Sequence, residues 1–582
     1  MIGYIGLFII EPATLALIAF VLLWSIGLCI SRNILTKKGK SLKLWVWMCP
    51  LPLVACAVHL AFHIFLGAIS YTVIYYGTIY FSGLLILLLI PFRKKKRGFR
   101  IAAVIINVLV ALLCLFSLLA QLSFFPAMHN MTQKSYSDAF DAVVEALDQE
   151  YVLSQWKSLD LDAISQDVRP YVENAEQSGD ETDYYIAMMR LAHEISDGHV
   201  TVGRLEENDE TYGEAKRRLA GNDYGFILYT LYTGQTAAFD VEPGSQAEKA
   251  GIHSGTIITE WDGVPMEEAL ENTDIVYPDY QLQNFPVAEN ETVLRAMFLA
   301  GKGNEEITVT FLDDAGVEQQ AVLQSTGSYD TRLDRALSRL FCTDTIDYAE
   351  NYQCRMLTDH CGYLQINAES VDYLTDLKTS YTGECPEVKE LITQKLNSLR
   401  QEGMETLVLD LRGNRGGVSA ISAAVASLFV KEGEIGETMG GIKGMESVRS
   451  PRYTAAEGTF SDIRVVALVN HVCISSGDIL ASYLSQAENV TLMGITNSNC
   501  SGQSVGGLCL LPDGTYFSYP ISYSLEKDGT IFVDTTAQGE TRIPLDVQIP
   551  VTQQAASAIF EAGEDYELSY AVEYLQAGAN RP

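Results

Sequence analysis

Three short runs in this chain combine residue types that can do chemistry. Asp410-Leu411-Arg412-Gly413-Asn414-Arg415-Gly416-Gly417 follows an apolar, strand-like stretch and precedes a helical pattern. Consecutive glycines let backbone N–H groups approach a ligand atom closely, as an oxyanion site requires. The same run also suits a helix-entry turn or a phosphate loop. Asn470-His471-Val472-Cys473-Ile474-Ser475-Ser476-Gly477-Asp478 lies between a strand candidate at 465–469 and a helix with Ile479, Leu480, Tyr483 and Leu484 on one face. A serine at such a junction is placed as an activated nucleophile is, with the helix dipole and the next N–H turned toward an anion. The commoner use of a lone serine there is to cap the helix. The third run, Gly539-Glu540-Thr541-Arg542-Ile543-Pro544-Leu545-Asp546-Val547, is a charged turn entering a short strand that Pro544 confines to a sheet edge. Alone, it reads as a solvated surface turn.

The elements around these runs define the frame. Beyond residue 338 the pattern is α/β: strand candidates Gly362-Tyr363-Leu364-Gln365-Ile366, Leu407-Val408-Leu409-Asp410-Leu411 and Val465-Val466-Ala467-Leu468-Val469 alternate with helices. One helix places Val388, Leu391, Ile392, Leu396 and Leu399 on a single face. From about 134 to 195 the apolar spacing is helical, and this region closes on Ser196-Asp197-Gly198-His199-Val200, a turn leading into a strand. Residues 222–326 are strand-rich. They contain Tyr224-Gly225-Phe226-Ile227-Leu228, then a short helix between two glycine turns from Pro243 to Ile252, then Gly255-Thr256-Ile257-Ile258 and the turn Trp261-Asp262-Gly263. This succession resembles a bacterial PDZ domain, with Thr256 where an Asp is usual and an insertion near 271–300. The resemblance implies that an extended peptide adds beside Gly225, Phe226, Ile227 and Leu228.

Taken in order, the helical lead-in ending at Asp197-Gly198-His199, the PDZ-like insert, the Asp410–Gly417 loop and Ser475-Ser476-Gly477-Asp478 resemble the tail-specific, carboxy-terminal-processing serine proteases and their tricorn-related branch. The resemblance spans about residues 134–555 and has Ser475-Ser476-Gly477-Asp478 in place of the family's Ser-Ala-Gly-Glu. It implies Ser475 as nucleophile, with the N–H groups of Gly416 and Ser476 as oxyanion donors. One branch of the family takes its base from a lysine downstream of the serine, but the matching stretch, Gly494 to Gln503, holds none. The tricorn-like branch uses a histidine from the N-terminal part and a glutamate near the C-terminal strand. His199 matches the first and Glu540 the second, with His471 as an alternative base. No metal or cofactor is implied. The competing reading is an inactive relative that binds peptides as a membrane sensor or scaffold, and the absent lysine and Asp478 are what favour it.

The first 124 residues differ from the rest. They hold eleven Lys and Arg against the single acid Glu11, a net of +10, whereas the remaining residues hold 29 bases against 72 acids, a net of −43. The acidic part argues against nucleic-acid binding. Four apolar stretches, near 3–31, 44–67, 69–92 and 101–124, are each about as long as a membrane-spanning helix. The first lacks a basic start and carries Glu11-Pro12, so it is expected to be retained rather than cleaved as a signal peptide. The basic clusters at 32–43 and 93–100 belong on the cytoplasmic side, which places the protease part outside the cytoplasm in the cell membrane. Seven of the eleven cysteines lie beyond the apolar stretches, and the group from Cys342 to Cys385 has disulfide potential with no pairing given by the sequence. The expected multidomain chain is therefore a four-span anchor (1–125), a helical N-terminal domain (126–205), a PDZ-like β-rich domain (222–326), an α/β catalytic core (338–560) and a C-terminal tail (561–582). Its expected partners are protein or peptide substrates and the lipid bilayer, and the sequence leaves the oligomeric state open.

Overall fold

The computed structural model describes residues 2–65, 69–94, 96–124, 128–204, 210–278, 284–343, 346–444 and 449–578. Residues 126–127 and 206–209, and residues 279–283 of the insertion, lie outside them. The chain forms two compact units, Met1–Met128 and His129–Pro582.

The first unit is helical: Ile2–Lys37, Lys43–Met48, Leu51–Phe65, Ile69–Ile86 and Lys96–Phe124. Among the described residues, three stretches are long and apolar enough to cross a membrane, Ala16–Lys37, Lys43–Ala61 and Gly98–Leu115. The remaining one expected, at 69–92, is helical from Ile69 to Lys94 and contains the apolar stretch Thr78–Pro91. Its helix changes from α to 3-10 geometry over Leu87–Lys94, which contains Pro91. A proline ring supplies no N–H and clashes with the carbonyl four residues back, so a regular helix is not sustained there. A polar group sits among the apolar side chains, with Ser25 Oγ donating to Asn107 Oδ1 at 2.8 Å.

The second unit opens with three helices, Tyr136–Glu150, Leu161–Ser178 and Glu181–Ile195. Each begins on a side-chain cap. Ser135 accepts from the Asp138 N–H, Asp160 from Ala163, and Asp180 from Thr182 and Asp183. Such caps satisfy N–H groups that the helix itself leaves unpaired. The first helix buries Phe140, Val143 and Leu147 at three- and four-residue spacing.

The core is a six-stranded sheet in the order Val547–Gln548, Val490–Gly494, Arg464–Leu468, Thr406–Asp410, Cys361–Ile366, Tyr352–Met356. All neighbours are parallel except the last pair. Cys361–Ile366 is buried at every position, as expected of a strand covered on both faces. Helix Pro386–Glu402 buries Val388, Ile392, Leu396 and Leu399, the face read from the sequence. Because strands 406–410 and 464–468 are parallel neighbours with Asp410 opposite Leu468, the loops leaving their carboxyl ends emerge side by side. Those loops are the Asp410–Gly417 and Asn470–Ser475 runs. The carboxyl ends of parallel strands are where α/β sheets place their sites.

A second sheet contains Ser504–Leu510, Thr515–Leu525, Glu434–Ile442 and Ser450–Ala455, and Thr201–Arg204 pairs with Thr515–Ser518 along its edge. That pairing fixes the chain just after His199. Residues 222–326 form the hairpin Ile227–Thr230/Thr236–Phe239 and a four-stranded sheet, bridged where Ala237 meets Ile257. The stretches on either side of this region contain the helices Glu210–Ala220 and Asp330–Leu340. Within the latter, Arg332 is buried and ion-paired with Asp223 at 2.9 Å. The expected tail also folds, as helix Tyr566–Gly578 packed against strands 464–468 and 406–410. Buried Arg412 ties it in through Asp565 at 2.7 Å and Glu567 at 3.2 Å. All eleven cysteines are free thiols, so the Cys342–Cys385 group forms no disulfide.

Candidate active site

Ser475 occupies the residue between a loop and helix Ser476–Leu484, with φ 63° and ψ −125°. A positive φ is sterically costly for any residue with a Cβ, and such strain persists only where the surroundings enforce it. Here the enforcement is visible. The Ser475 N–H donates to Ser501 O at 3.1 Å, and the preceding Ile474 N–H donates to Asn414 O at 3.0 Å. Ser475 does not cap its helix with its side chain, so the capping alternative is not the geometry adopted.

Gly416 lies directly against the serine. A Cβ built there would fall 2.5 Å from Ser475 Cβ and 2.9 Å from its Oγ, so only glycine fits. Gly417 is pressed in the same way on Glu369, whose carbonyl would lie 2.3 Å from an added Cβ. Asn414 organises the loop. Its Nδ2 donates to Ile366 O at 3.0 Å and Glu369 Oε1 at 2.9 Å, and its Oδ1 accepts the Gly416 N–H at 2.8 Å. The Gly416 N–H expected to serve an oxyanion is therefore engaged by Asn414. Among the described residues, no protein group accepts the N–H of Gly417 or of Ser476, the first residue of the helix. Burial pushes the Glu369 carboxyl up to about 7, with the Asn414 bond opposing.

Asp478, in the first turn of that helix, accepts from the N–H of Cys500 at 2.8 Å and of Ser501 at 3.0 Å. It thus ties the loop after the serine to the nucleophile's helix. Burial raises its carboxyl to about 6 against those bonds. Cys500 lies in the stretch where a lysine is absent. It is buried, and burial and the nearby Asp478 push its thiol up to about 12, so it does not offer a base.

Ser501 joins the His199 loop to Ser475. Its carbonyl holds the Ser475 N–H, and its Oγ accepts the Gly198 N–H at 3.0 Å. The next residue, His199, donates its backbone N–H to Asp197 Oδ1 at 2.8 Å. Its Nδ1 is shut off from solvent and has no hydrogen-bond partner among the described residues. Desolvation holds the imidazole below its ordinary range, while the Asp197 charge and the Gln503 backbone oppose that shift. His471 is placed differently: it is fully buried with Phe285 stacked on it at 4.2 Å, and burial lowers it to about 3.

Glu540 is exposed in the turn 536–540, where its N–H donates to Thr536 Oγ1 at 3.2 Å and its carbonyl accepts the Thr536 N–H. The buried carboxylates beside the His199 loop are Asp197 and Asp534. Asp197 also accepts from Tyr151 Oη at 2.7 Å. Asp534 pairs with Lys157 Nζ at 3.2 Å, and the same ammonium donates to Ser196 O at 2.9 Å and Thr535 Oγ1 at 2.7 Å. Burial pushes Asp534 up, and Lys157 pulls it back. The sequence reading missed both residues of this pair. An acid closing the apolar run Ile531-Phe532-Val533 was the available sign for Asp534, whereas nothing local marks Lys157.

The residues expected to receive a peptide are enclosed. Phe226, Ile227 and Leu228 are buried, and helix Ala288–Leu299 from the insertion packs against their strand. The Gly225 N–H is taken by Asp223 Oδ1 at 2.8 Å. Among the described residues no group of three or more His, Cys, Asp and Glu side chains has metal-site geometry.

Residues 360–539 match the model of peptidase family S41. A carboxyl-terminal-processing protease of Picosynechococcus is 28% identical over 175 residues, covering 29% of this chain and 37% of its own length. The carboxy-terminal processing protease CtpA of Bacillus subtilis is 30% identical over 112 residues, 19% of this chain and 22% of its own. The chain thus spans between about a fifth and two fifths of the length of these relatives. A solved structure of mature CPAF complexed with lactacystin superposes with TM-score 0.47 at 14% identity, over 77% of this chain and 98% of that one. Residues 360–539, which carry Ser475 and the Asp410–Gly417 loop, are a peptidase family S41 domain, and the chain is a homologue of the carboxyl-terminal-processing serine peptidases.

Proposed function

We propose that this protein is a membrane-anchored serine endopeptidase acting on proteins or peptides outside the cytoplasm. The observation that carries the reading is the strained Ser475, packed on Gly416 and linked through Ser501 to the loop that carries His199. Ser475 Oγ attacks the scissile carbonyl carbon while its proton passes to His199, forming the O–C bond. The oxyanion is met by the N–H of Ser476 and of the glycine pair Gly416 and Gly417, with Gly416 first exchanging its bond to Asn414. Collapse breaks the C–N bond as His199 returns the proton to the leaving amine. Water, deprotonated by the same imidazole, then hydrolyses the acyl-enzyme and restores the serine. The orienting carboxylate in this reading is Asp534, joined through Lys157 to Ser196 of the His199 loop, rather than the exposed Glu540.

The apolar first unit serves as a multi-pass anchor of four spans, supported by its three long apolar helices and the shorter fourth stretch. Its two basic clusters support a cytoplasmic position for those loops and hence a protease part outside the cytoplasm. The PDZ-like region selects substrates, and peptide addition at 225–228 requires helix 288–299 to yield.

The direct experiment is fluorophosphonate labelling of the full chain in detergent, which marks only an activated serine. Labelling lost in Ser475→Ala is the expected result. An unlabelled, folded protein would instead favour the inactive peptide-binding sensor.

A further inference from the structure

The segment Asn284–Asn290 comes from the insertion in the PDZ-like region, yet its side chains bond to the loops of the active site. Asn284 is buried, and its single Nδ2 donates to Asp197 O at 2.8 Å, to Ala192 O at 3.1 Å and to Val200 O. Two of those carbonyls flank His199 on either side. The Asn284 carbonyl accepts from Asn499 Nδ2 at 3.4 Å, and Asn499 lies directly against Gly198. Asn290, also buried, grips the backbone of Asn497 from both directions, with its Oδ1 accepting the N–H at 2.8 Å and its Nδ2 donating to the carbonyl at 2.9 Å. The segment ends on a third loop, where the Ala288 N–H donates to Gly539 O at 3.0 Å.

A buried amide that spends its donors on backbone carbonyls fixes those carbonyls, because breaking the bonds would leave polar groups unpaired away from water. Asn284 acts on the loop that carries the base. Asn290 acts on the loop that leads through Cys500 to Ser501, the residue that holds Ser475. Nothing else in the serine-protease reading uses these two side chains.

We propose that Asn284 and Asn290 are positioning residues that hold His199 and the loop behind Ser475 in register, so that the PDZ-like insertion completes the catalytic geometry. The inference rests on the serine-peptidase reading. Misplacing a base by about 1 Å costs on the order of 10²-fold in turnover without loosening substrate binding.

The test compares the full chain in detergent as wild type, Asn284→Ala, Asn284→Ser, Asn284→Asp and Asn290→Ala. Turnover of an internally quenched peptide is divided by the fraction of serine labelled to completion with a fluorophosphonate, so that only intact sites are counted. The expected result for Asn284→Ala is a fall in kcat per labelled site of about 10²-fold with KM changed less than about threefold. Asn284→Ser, which keeps one donor, falls between, and Asn284→Asp, which sets acceptors against three carbonyls, is at least as impaired as alanine. Asn290→Ala falls in the same direction. Should Asn284→Ala not fold, the Asn284→Ser and Asn290→Ala comparisons decide. Wild-type kcat per labelled site in the folded Asn284 and Asn290 variants overturns the proposal while leaving the serine reading intact. A wild-type protein with no Ser475-dependent turnover overturns both.

Discussion

The proposed nucleophile and the proposed base reach this site by different routes. Ser475 is placed by its own neighbourhood, a buried strand, a tight loop and a short helix, next to a glycine loop that leaves the adjacent parallel strand. His199 is placed by residues far away in the chain, since the Gly198 N–H is held by a residue 303 positions later and its loop is gripped by Asn284 and linked through Ser196 to Lys157. The nucleophile side therefore depends on local backbone geometry, and the base side on a set of long-range hydrogen bonds. Substitutions outside the reacting groups should reach activity mainly through the base.

The largest expected effect is on the local side. Ser475→Ala should lower kcat by at least about 10³-fold while leaving the thermal midpoint close to wild type, because the small side chain bears no core packing. Substantial residual turnover that follows the protein through purification would move the nucleophile elsewhere. The next effect distinguishes two carboxylates. Asp534→Asn should cost about 10²-fold or more in kcat, as loss of an orienting charge does, while Glu540→Gln changes it less than about twofold. The opposite ranking in a steady-state assay would return the orienting role to Glu540.

A smaller effect concerns stability. The buried His471 has a native pKa of about 3, far below its unfolded value of about 6.5. Above that value both states are neutral. As pH falls below it, the unfolded chain takes up a proton that the native state refuses, so stability is lost by about 1.4 kcal/mol per unit down toward pH 3. Buried carboxyls with raised values, Asp478 and Glu369, act in the opposite sense as pH falls, since the native state binds their protons first. His471→Phe keeps an aromatic ring against Phe285 and should show a shallower loss of thermal midpoint between pH 6.5 and 4.5 than wild type. Equal slopes would mean that His471 titrates normally. A similarly small effect on turnover is expected at Cys500, where Cys500→Ala should keep turnover within about threefold, because a thiol pushed up to about 12 does not accept the serine's proton.

The same division explains what was legible in the sequence. The α/β pattern, the helix face from Val388 to Leu399 and the placement of the Asp410–Gly417 and Ser475 loops at strand ends were readable because period and turn residues act over a few positions, whereas the pairing of those two strands is a tertiary fact. Glu540 follows from the family resemblance, by its place near the C-terminal strand. Its exposure is a matter of burial, which sequence spacing does not reveal, and the buried carboxylate nearby in the chain is Asp534, paired with a lysine hundreds of residues away. The family resemblance implies the Gly416 N–H as an oxyanion donor, and the Asn414 side chain two residues earlier takes it. The PDZ-like strand at 225–228 was read as an open edge. The insertion was legible as an insertion, but its packing against that strand is a tertiary contact that local pattern does not encode.

The pH dependence of turnover reports most directly on the base. A histidine base works only when neutral, and desolvation holds His199 below the ordinary histidine range. Activity of the full chain should therefore rise with pH through a single apparent pKa lying below about 6.5 and stay level above it. His199→Ala should remove that turnover as completely as Ser475→Ala, with the double variant no worse than either. A rise confined to alkaline pH, or near-normal turnover in His199→Ala, would contradict the assignment of His199 as the base.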